Sequence, residues 1–321
     1  MIRKYEKSMS VIKDPIPKSF EKMLSDSKYE IPDLQRDYDW NPNELKKFWK
    51  DAFTIYENDV DEYFVGPMVF VEKKNNEYQI IDGQQRLLTM SILASATRDI
   101  LIKINEETTQ IEITNAIYRI NQLLYVDVSL TGTVNNSRIT PSDINNRFYK
   151  DKIIVPKKYS EKTGLAKPED KSNEKILEAY KFFINKLNDQ WDEGEKIQKL
   201  PDFIETVIKA FVAIRIIVES LEKGHRVFET LNYRGLDLSV SALVKNHFLE
   251  KSRDSELREN ISKWKKIADT LKNVNLDDFL KHYWIAHYEI ATPSNLYDKI
   301  KNEIDSSDKV KNILEDLIKN S

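Results

Sequence analysis

The residues best placed to do chemistry lie in one short run, Ile80-Ile81-Asp82-Gly83-Gln84-Gln85-Arg86-Leu87. The run reads as a strand, a tight glycine turn and a helix start. Amides in the first turn of a helix lack intrahelical acceptors and carry a partial positive charge of about half a unit. Such an end suits an anion. Gly83 would let a ligand approach the backbone, and the planar fork of Arg86 would clamp a phosphate. Asp82 could cap the helix, hold a metal ion or position a water. The plainer reading is an ordinary strand-to-helix turn capped by Asp82, and on local features alone it is the commoner one.

Two further constellations carry similar chemistry. Gln35 and Arg36 precede Tyr38 and Trp40 in a proline-led loop. Aromatic rings between Arg and Gln suit stacking on a base or gripping a phosphate. They equally suit stapling the next helix, with Arg36 paired to a surface acid. The segment Phe228 to Ser239 holds Asn232, Arg234 and Gly235, and Lys245 follows. A turn of that composition would offer amides and cations to a polyphosphate. A helix C-cap with Asn232 or Gly235 left-handed fits as well, and spacing does not separate the two. None of the four histidines, His225, His247, His282 and His287, has a paired metal-ligand spacing. His282 and His287 are expected as partly buried helix residues. No Walker-type loop or Gly-x-Ser-x-Gly elbow occurs.

The elements that must position these groups follow from pattern. Pro15 and Pro17 oppose a regular helix near the N-terminus. After the loop, Asn41, Pro42 and Glu44 form a capping box with proline at the first helical position. Tyr63 to Val71 is a strand that Gly66-Pro67 interrupts, which predicts an edge or a bulge. Tyr78 to Ile81 completes a hairpin. Leu87, Met90, Ala94, Thr97 and Leu101 then share a helix face. Residues 151–173 read as a loop. Phe211 to Val218 fits a strand or a buried helix, since periodicity alone does not divide them. The rest, to Ser321, reads as charge-rich helix.

Composition bounds the whole. The chain has 321 residues, 50 Lys+Arg against 53 Asp+Glu, and no cysteine. Disulfides, thiolate nucleophiles and cysteine-based metal sites are excluded. A formal net charge of −3 supplies no global cationic field, so any DNA contact must be a local patch. No apolar run approaches the roughly 20 residues of a membrane span, and the N-terminus lacks an apolar export core. A cytoplasmic location is expected.

Taken together, the three segments resemble the N-terminal (GmrS, ParB-like) family of GmrSD-type restriction endonucleases. Ile31 to Trp40 is similar to its IPxYQRxYxW opening, Tyr63 to Gly66 to its YFLG strand, Ile80 to Leu88 to its IIDGQQRLTT signature, and Phe228 to Leu238 to its FETLNxRGxxL segment. Lys245-Asn246 falls at its KN pair. The resemblance covers roughly residues 20 to 300, in the family's order. Leu34 and Leu88 depart from it, standing where an aromatic and a threonine are usual. The His-hydrophobic-Pro motif of the nuclease module carried by many relatives is absent.

The resemblance implies a role in defence against phage DNA and an α+β fold. A small ParB/sulfiredoxin-like mixed α/β domain, residues 1–104, would precede a larger, mainly α-helical domain, residues 105–321. It implies a nucleotide site of Gln35, Arg36, Gly83, Gln85, Arg86 and Thr89, walled by Asn232, Arg234 and Lys245. Asp82 and Gln84 would be catalytic in hydrolysis of a nucleoside triphosphate, with Asp82 also holding Mg2+. Tyr38 and Trp40 would contact DNA, modified DNA included. Nucleotide state would gate DNA recognition or restriction, with the nuclease on a separate domain or subunit. A non-enzymatic sensor of modified DNA, using the same basic turn for the phosphate backbone, is the alternative, and a protein-interaction adaptor is a third option. Oligomeric state stays open, a homo-oligomer included.

Overall fold

The computed structural model describes residues 12–33, 35–74, 76–128, 134–156, 170–221, 223–224, 227–228, 240–253, 255–271, 274–292 and 295–321. Strand β1 (Ile12–Ser19) carries Pro15 and Pro17. It is an edge strand with a register shift between Lys13 and Ile16, where missing N–H groups do least harm. The same prolines do not keep helix from the N-terminal thirty residues. Ser19 ends the strand and accepts a bond from the Lys22 amide, starting α1 (Phe20–Asp26). Strand β2 (Lys28–Glu30) and the loop to Trp40 lead into α2 (Pro42–Glu57), whose Asn41–Glu44 capping box forms as its sequence predicts.

The hairpin forms from β3 (Tyr63–Lys74) and β4 (Glu77–Asp82). Gly66-Pro67 makes a bulge, since the register with its neighbour shifts between Phe64 and Pro67. The strand is nevertheless central and not an edge. It takes its second partner from far along the chain, β8 (Phe211–Val218), which settles the ambiguity of that segment in favour of strand. Short strands β5 (Tyr125–Val128) and β6 (Val134–Ser137) make a separate ribbon, and β7 (Ile139–Thr140) joins the main sheet. The six-stranded order is β1-β8-β3-β4-β2-β7, mixed in direction.

The 25-residue helix α3 (Gln84–Thr108) is the central rod of the unit. The expected single apolar face understates it, because every residue from Leu87 to Leu101 is buried. A helix buried all round must satisfy its polar residues internally. Around it pack α4 (Ile111–Leu124), α6 (Lys171–Gln190) and α7 (Glu193–Ala210). Helix α5 (Asp143–Tyr149) runs into a π-helical turn, Lys150–Ile154, inside the stretch expected to be loop. Arg98 is fully buried and donates to the Ile153 and Ile154 carbonyls that end this turn, at 3.0 and 2.7 Å, and to Asp99 at 2.9 Å. Tyr180 of α6 donates to Asp99 at 2.7 Å.

The fold class is α+β. The chain divides into two compact units at Gly224 and not near residue 104, because β8 returns to the sheet and the helices after α3 share its core. The second unit, His225–Ser321, is helical: α8 (Val240–Lys251), α9 (Leu257–Thr270), α10 (Leu276–His287), α11 (Leu296–Glu303) and α12 (Ser307–Asn320). Trp264, Leu280, Trp284 and Val310 are among its core residues. His282 and His287 lie on α10 as exposed residues, contrary to the partial burial expected; among the described residues the buried histidine is His247.

Candidate functional site

Strand β4 ends at Asp82, opposite Val69 of β3. Gly83 then turns the chain with φ of 103° and opens α3 without a side-chain cap. A Cβ here would lie 2.6 Å from Met68 Cγ, so both conformation and packing demand glycine. The first intrahelical bond runs from the Leu87 amide to the Gly83 carbonyl at 3.1 Å. The amides of Gln84, Gln85 and Arg86 precede it and have no intrahelical acceptor. Asp82 does not cap the helix. Its carboxylate accepts instead from Arg86.

Arg86 is held hard. One terminal nitrogen donates to the Val65 carbonyl at 2.6 Å. The other donates to the Pro67 carbonyl at 2.8 Å and to Asp82 at 3.0 Å. Gly66, with φ of 93°, makes room, since a Cβ there would stand 2.9 Å from the guanidinium. The bulged strand is therefore shaped around this side chain. Burial pushes the Asp82 carboxyl above the usual carboxylate range, and it outweighs the lowering effects of Arg86, the Gly83 amide and Arg36. The Asp82 side chain still keeps 29% of its exposure and that of Arg86 keeps 23%, so both reach solvent.

The two N-terminal motifs meet here. Gln85 is buried and spends both amide atoms on the loop: it accepts from the Asp39 amide at 2.9 Å and donates to the Asp37 carbonyl at 3.0 Å. One turn further, Thr89 shares a 2.8 Å bond with the Tyr38 hydroxyl. Asp37 accepts from Ser142 at 2.8 Å, and Lys175 of α6 pairs with Asp39. The loop is thus tied to the start of α3 from several sides. Its exposed member, Arg36, makes no hydrogen bond to a described side chain and stands close enough to Asp82 to pull on its ionisation. Gln35 is half-buried. Gln84 is buried, and its side-chain oxygen has no hydrogen-bond partner.

Several expected roles change accordingly. Tyr38 is 1% exposed and Trp40 packs on Phe48 of α2. The Tyr38 ring is therefore a packing group with no face for DNA, while Trp40 is half-buried and keeps part of its ring at the surface. The side chains of Thr89 and Gln85 position the loop, and every polar atom of those side chains already has a partner there. Asn232 and Arg234 lie outside the described residues, while Lys245 is half-buried on α8 of the second unit. Among the described residues no group of three His, Asp or Glu could hold a metal ion. Asp82 alone, bonded by one guanidinium and close to another, does not fit a resident Mg2+ site, since cation already answers its charge. Pattern reading missed Gly66, Met68 and Lys175. Only the glycine left a trace, as the break expected in β3.

Among the described residues no helix is long and apolar enough to cross a membrane. No curated protein matches the chain. The family model described as "GmrSD restriction endonuclease, N-terminal domain" matches residues 20–249, from α1 through most of α8. More than half of the sequence lies within that match, and the chain belongs to the GmrSD restriction endonuclease N-terminal domain family.

Proposed function

We propose that the Asp82–Arg86 turn, with Arg36, binds the phosphates of a nucleoside triphosphate and supports its hydrolysis, gating recognition or restriction of DNA. Family membership supports the wider setting, a restriction system that defends against phage DNA and works with a nuclease domain or subunit. The observation that carries the finer reading is an exposed guanidinium, Arg36, within electrostatic reach of Asp82 at the amide end of a 25-residue helix. Three amides without an intrahelical acceptor and an exposed cation make an anion site with a fixed floor. Arg86 is that floor. It neutralises Asp82 and holds the bulged strand against the turn, while Arg36 closes on the phosphates.

Phosphoryl transfer asks little covalent chemistry of a protein and much electrostatic positioning. A carboxyl raised by burial, as Asp82 is, orients and deprotonates a water better than an ordinary aspartate. Gln84, with an unsatisfied oxygen at the helix start, is the second polar group for that water. Magnesium enters this reading with the incoming nucleotide, held by its phosphates.

Calorimetry with the four common nucleoside triphosphates, with and without magnesium, tests the proposal on the parent and on Arg36→Ala. Saturable binding that Arg36→Ala weakens supports it, and absence of binding by all four refutes it. Affinity that instead goes to a DNA duplex and falls steeply with added salt marks the non-enzymatic sensor.

A further inference from the structure

The first unit holds a second built feature, a cleft of about 720 Å3 where α2 and α6 end against α7. That volume lies in the range of ligand clefts, roughly 300–1,000 Å3. Its walls are aromatic. Trp191 stands edge-on to Tyr56 at 5.8 Å and 6.1 Å from Phe53, and all three rings are half-buried over the buried Phe203. Its rim is acidic. Glu57, Asp59 and Asp202 line the cleft, are exposed, and form no ion pair with a described residue. Of the two lysines in the lining, Lys209 pairs with Glu205 at 2.6 Å and Lys199 forms no ion pair with a described residue, so three such carboxylates face one lysine.

Backbone charge has the same sign. Helix C-termini carry about half a negative charge each. Both α2 and α6 end at this cleft, at Glu57 and Gln190, and neither has a basic residue in its last turn. Free carboxylates and two helix ends without a basic residue repel nucleic acid. Half-exposed rings reward a flat, weakly hydrated cation over a compact, strongly hydrated one.

We infer that this cleft is a docking site for an arginine-bearing basic segment of a partner protein, its guanidinium stacked on Trp191 and paired with Asp59 and Asp202. The site shares no residue with the Asp82 turn and does not depend on nucleotide binding there.

The test measures fluorescence anisotropy of labelled peptides, alternating arginine–glycine and lysine–glycine, on the full chain. Three variants are compared with the parent. Asp59→Asn/Asp202→Asn removes two rim charges and keeps the fold, because Asn tolerates the left-handed φ of 48° at position 59. Trp191→Leu removes the stacking wall. Glu106→Gln/Glu107→Gln removes two exposed charges from the far end of α3 as a control. The arginine peptide should bind the parent more tightly than the lysine peptide. The rim variant should weaken it about tenfold or more, in keeping with loss of close charge pairs, Trp191→Leu should weaken it too, and the control should leave it unchanged. Equal binding to parent and rim variant overturns the proposal, as does an equal loss in the control. Equal affinity for the lysine peptide overturns the guanidinium assignment.

Discussion

Arg36 and Arg86 both act on Asp82 and differ in what they hold, so removing each should have separable effects. Arg86→Met takes away three bonds from a charged donor, at 2.6, 2.8 and 3.0 Å. Bonds of this kind contribute about 1.5–3 kcal/mol each. The side chain keeps 23% exposure, so water re-solvates part of what is freed and the bonds share one donor. A total of about 3 kcal/mol is therefore reasonable, below the sum of separate bonds. In a unit of this size each kcal/mol lowers Tm by about 2–4 °C, giving a fall of about 6–12 °C in the transition of the larger unit. Arg36→Met breaks no bond to a described residue and should stay within about 0.5 kcal/mol of the parent. Thermal unfolding followed by calorimetry reads both.

The same pair carries a pH signature. Asp82 already titrates above the ordinary aspartate value through burial, and Arg86 is the largest effect opposing that rise. A carboxyl raised in the folded state stabilises the fold at low pH and loses that contribution as pH climbs through its folded value. Without Arg86 the rise grows, so the deficit of Arg86→Met should increase from pH 4 toward pH 8, above the pH-independent part that comes from losing the Val65 and Pro67 carbonyl bonds. In nucleotide titrations Arg36→Met should lose binding with its fold intact, and Arg86→Met should lose both. A destabilised Arg36→Met, or an Arg86→Met that melts with the parent, would refute the division into floor and clamp.

Three other changes probe the frame. Gly83→Ala places a side chain at positive φ and against Met68; about 2–4 kcal/mol of stability should be lost in denaturant unfolding. Arg98→Met leaves Asp99 buried without its partner and should cost about 3–5 kcal/mol, with Tyr180→Phe nearer 1 kcal/mol in the same titration. Burial holds His247 below the usual histidine value. A depressed histidine contributes stability above its unfolded value and loses it as pH falls through the folded one, so the second unit should weaken below about pH 6.5 and His247→Gln should flatten that slope in urea unfolding at several pH values.

The local elements were legible because their causes are local. The capping box of α2 needs only Asn41, Pro42 and Glu44. The turn at Gly83 needs only a residue free to adopt positive φ. What could not be read was set by partners distant in sequence. β8 completes a sheet whose other strands all precede residue 141, so a boundary drawn where strands give way to helices falls too early. The full burial of α3 likewise depends on three later helices. Its Arg98 and Asp99 are enclosed by Tyr180 and the Ile153 and Ile154 carbonyls, none of which is near them in sequence.

The site shows why residue type alone misassigns roles. Arg36 and Arg86 offer the same group, and Gln84 and Gln85 are adjacent copies of one side chain. Burial and prior engagement separate them. A guanidinium already bonded to two carbonyls and a carboxylate has only its outer face for a guest, and an amide that has both atoms on a neighbouring loop has none. Arg36 and Gln84 keep capacity: one is exposed without a bond, the other is buried with an oxygen unanswered. A buried polar atom without a partner costs free energy, and a protein that fixes Gln85 so fully beside an unsatisfied Gln84 has not merely packed poorly. The same test applies to the cleft at Trp191, where Lys209 is paired with Glu205 while Asp59 and Asp202 form no ion pair with a described residue. In both places the groups without an internal partner define the charge a guest must bring: negative beside Arg36, positive beside Asp202.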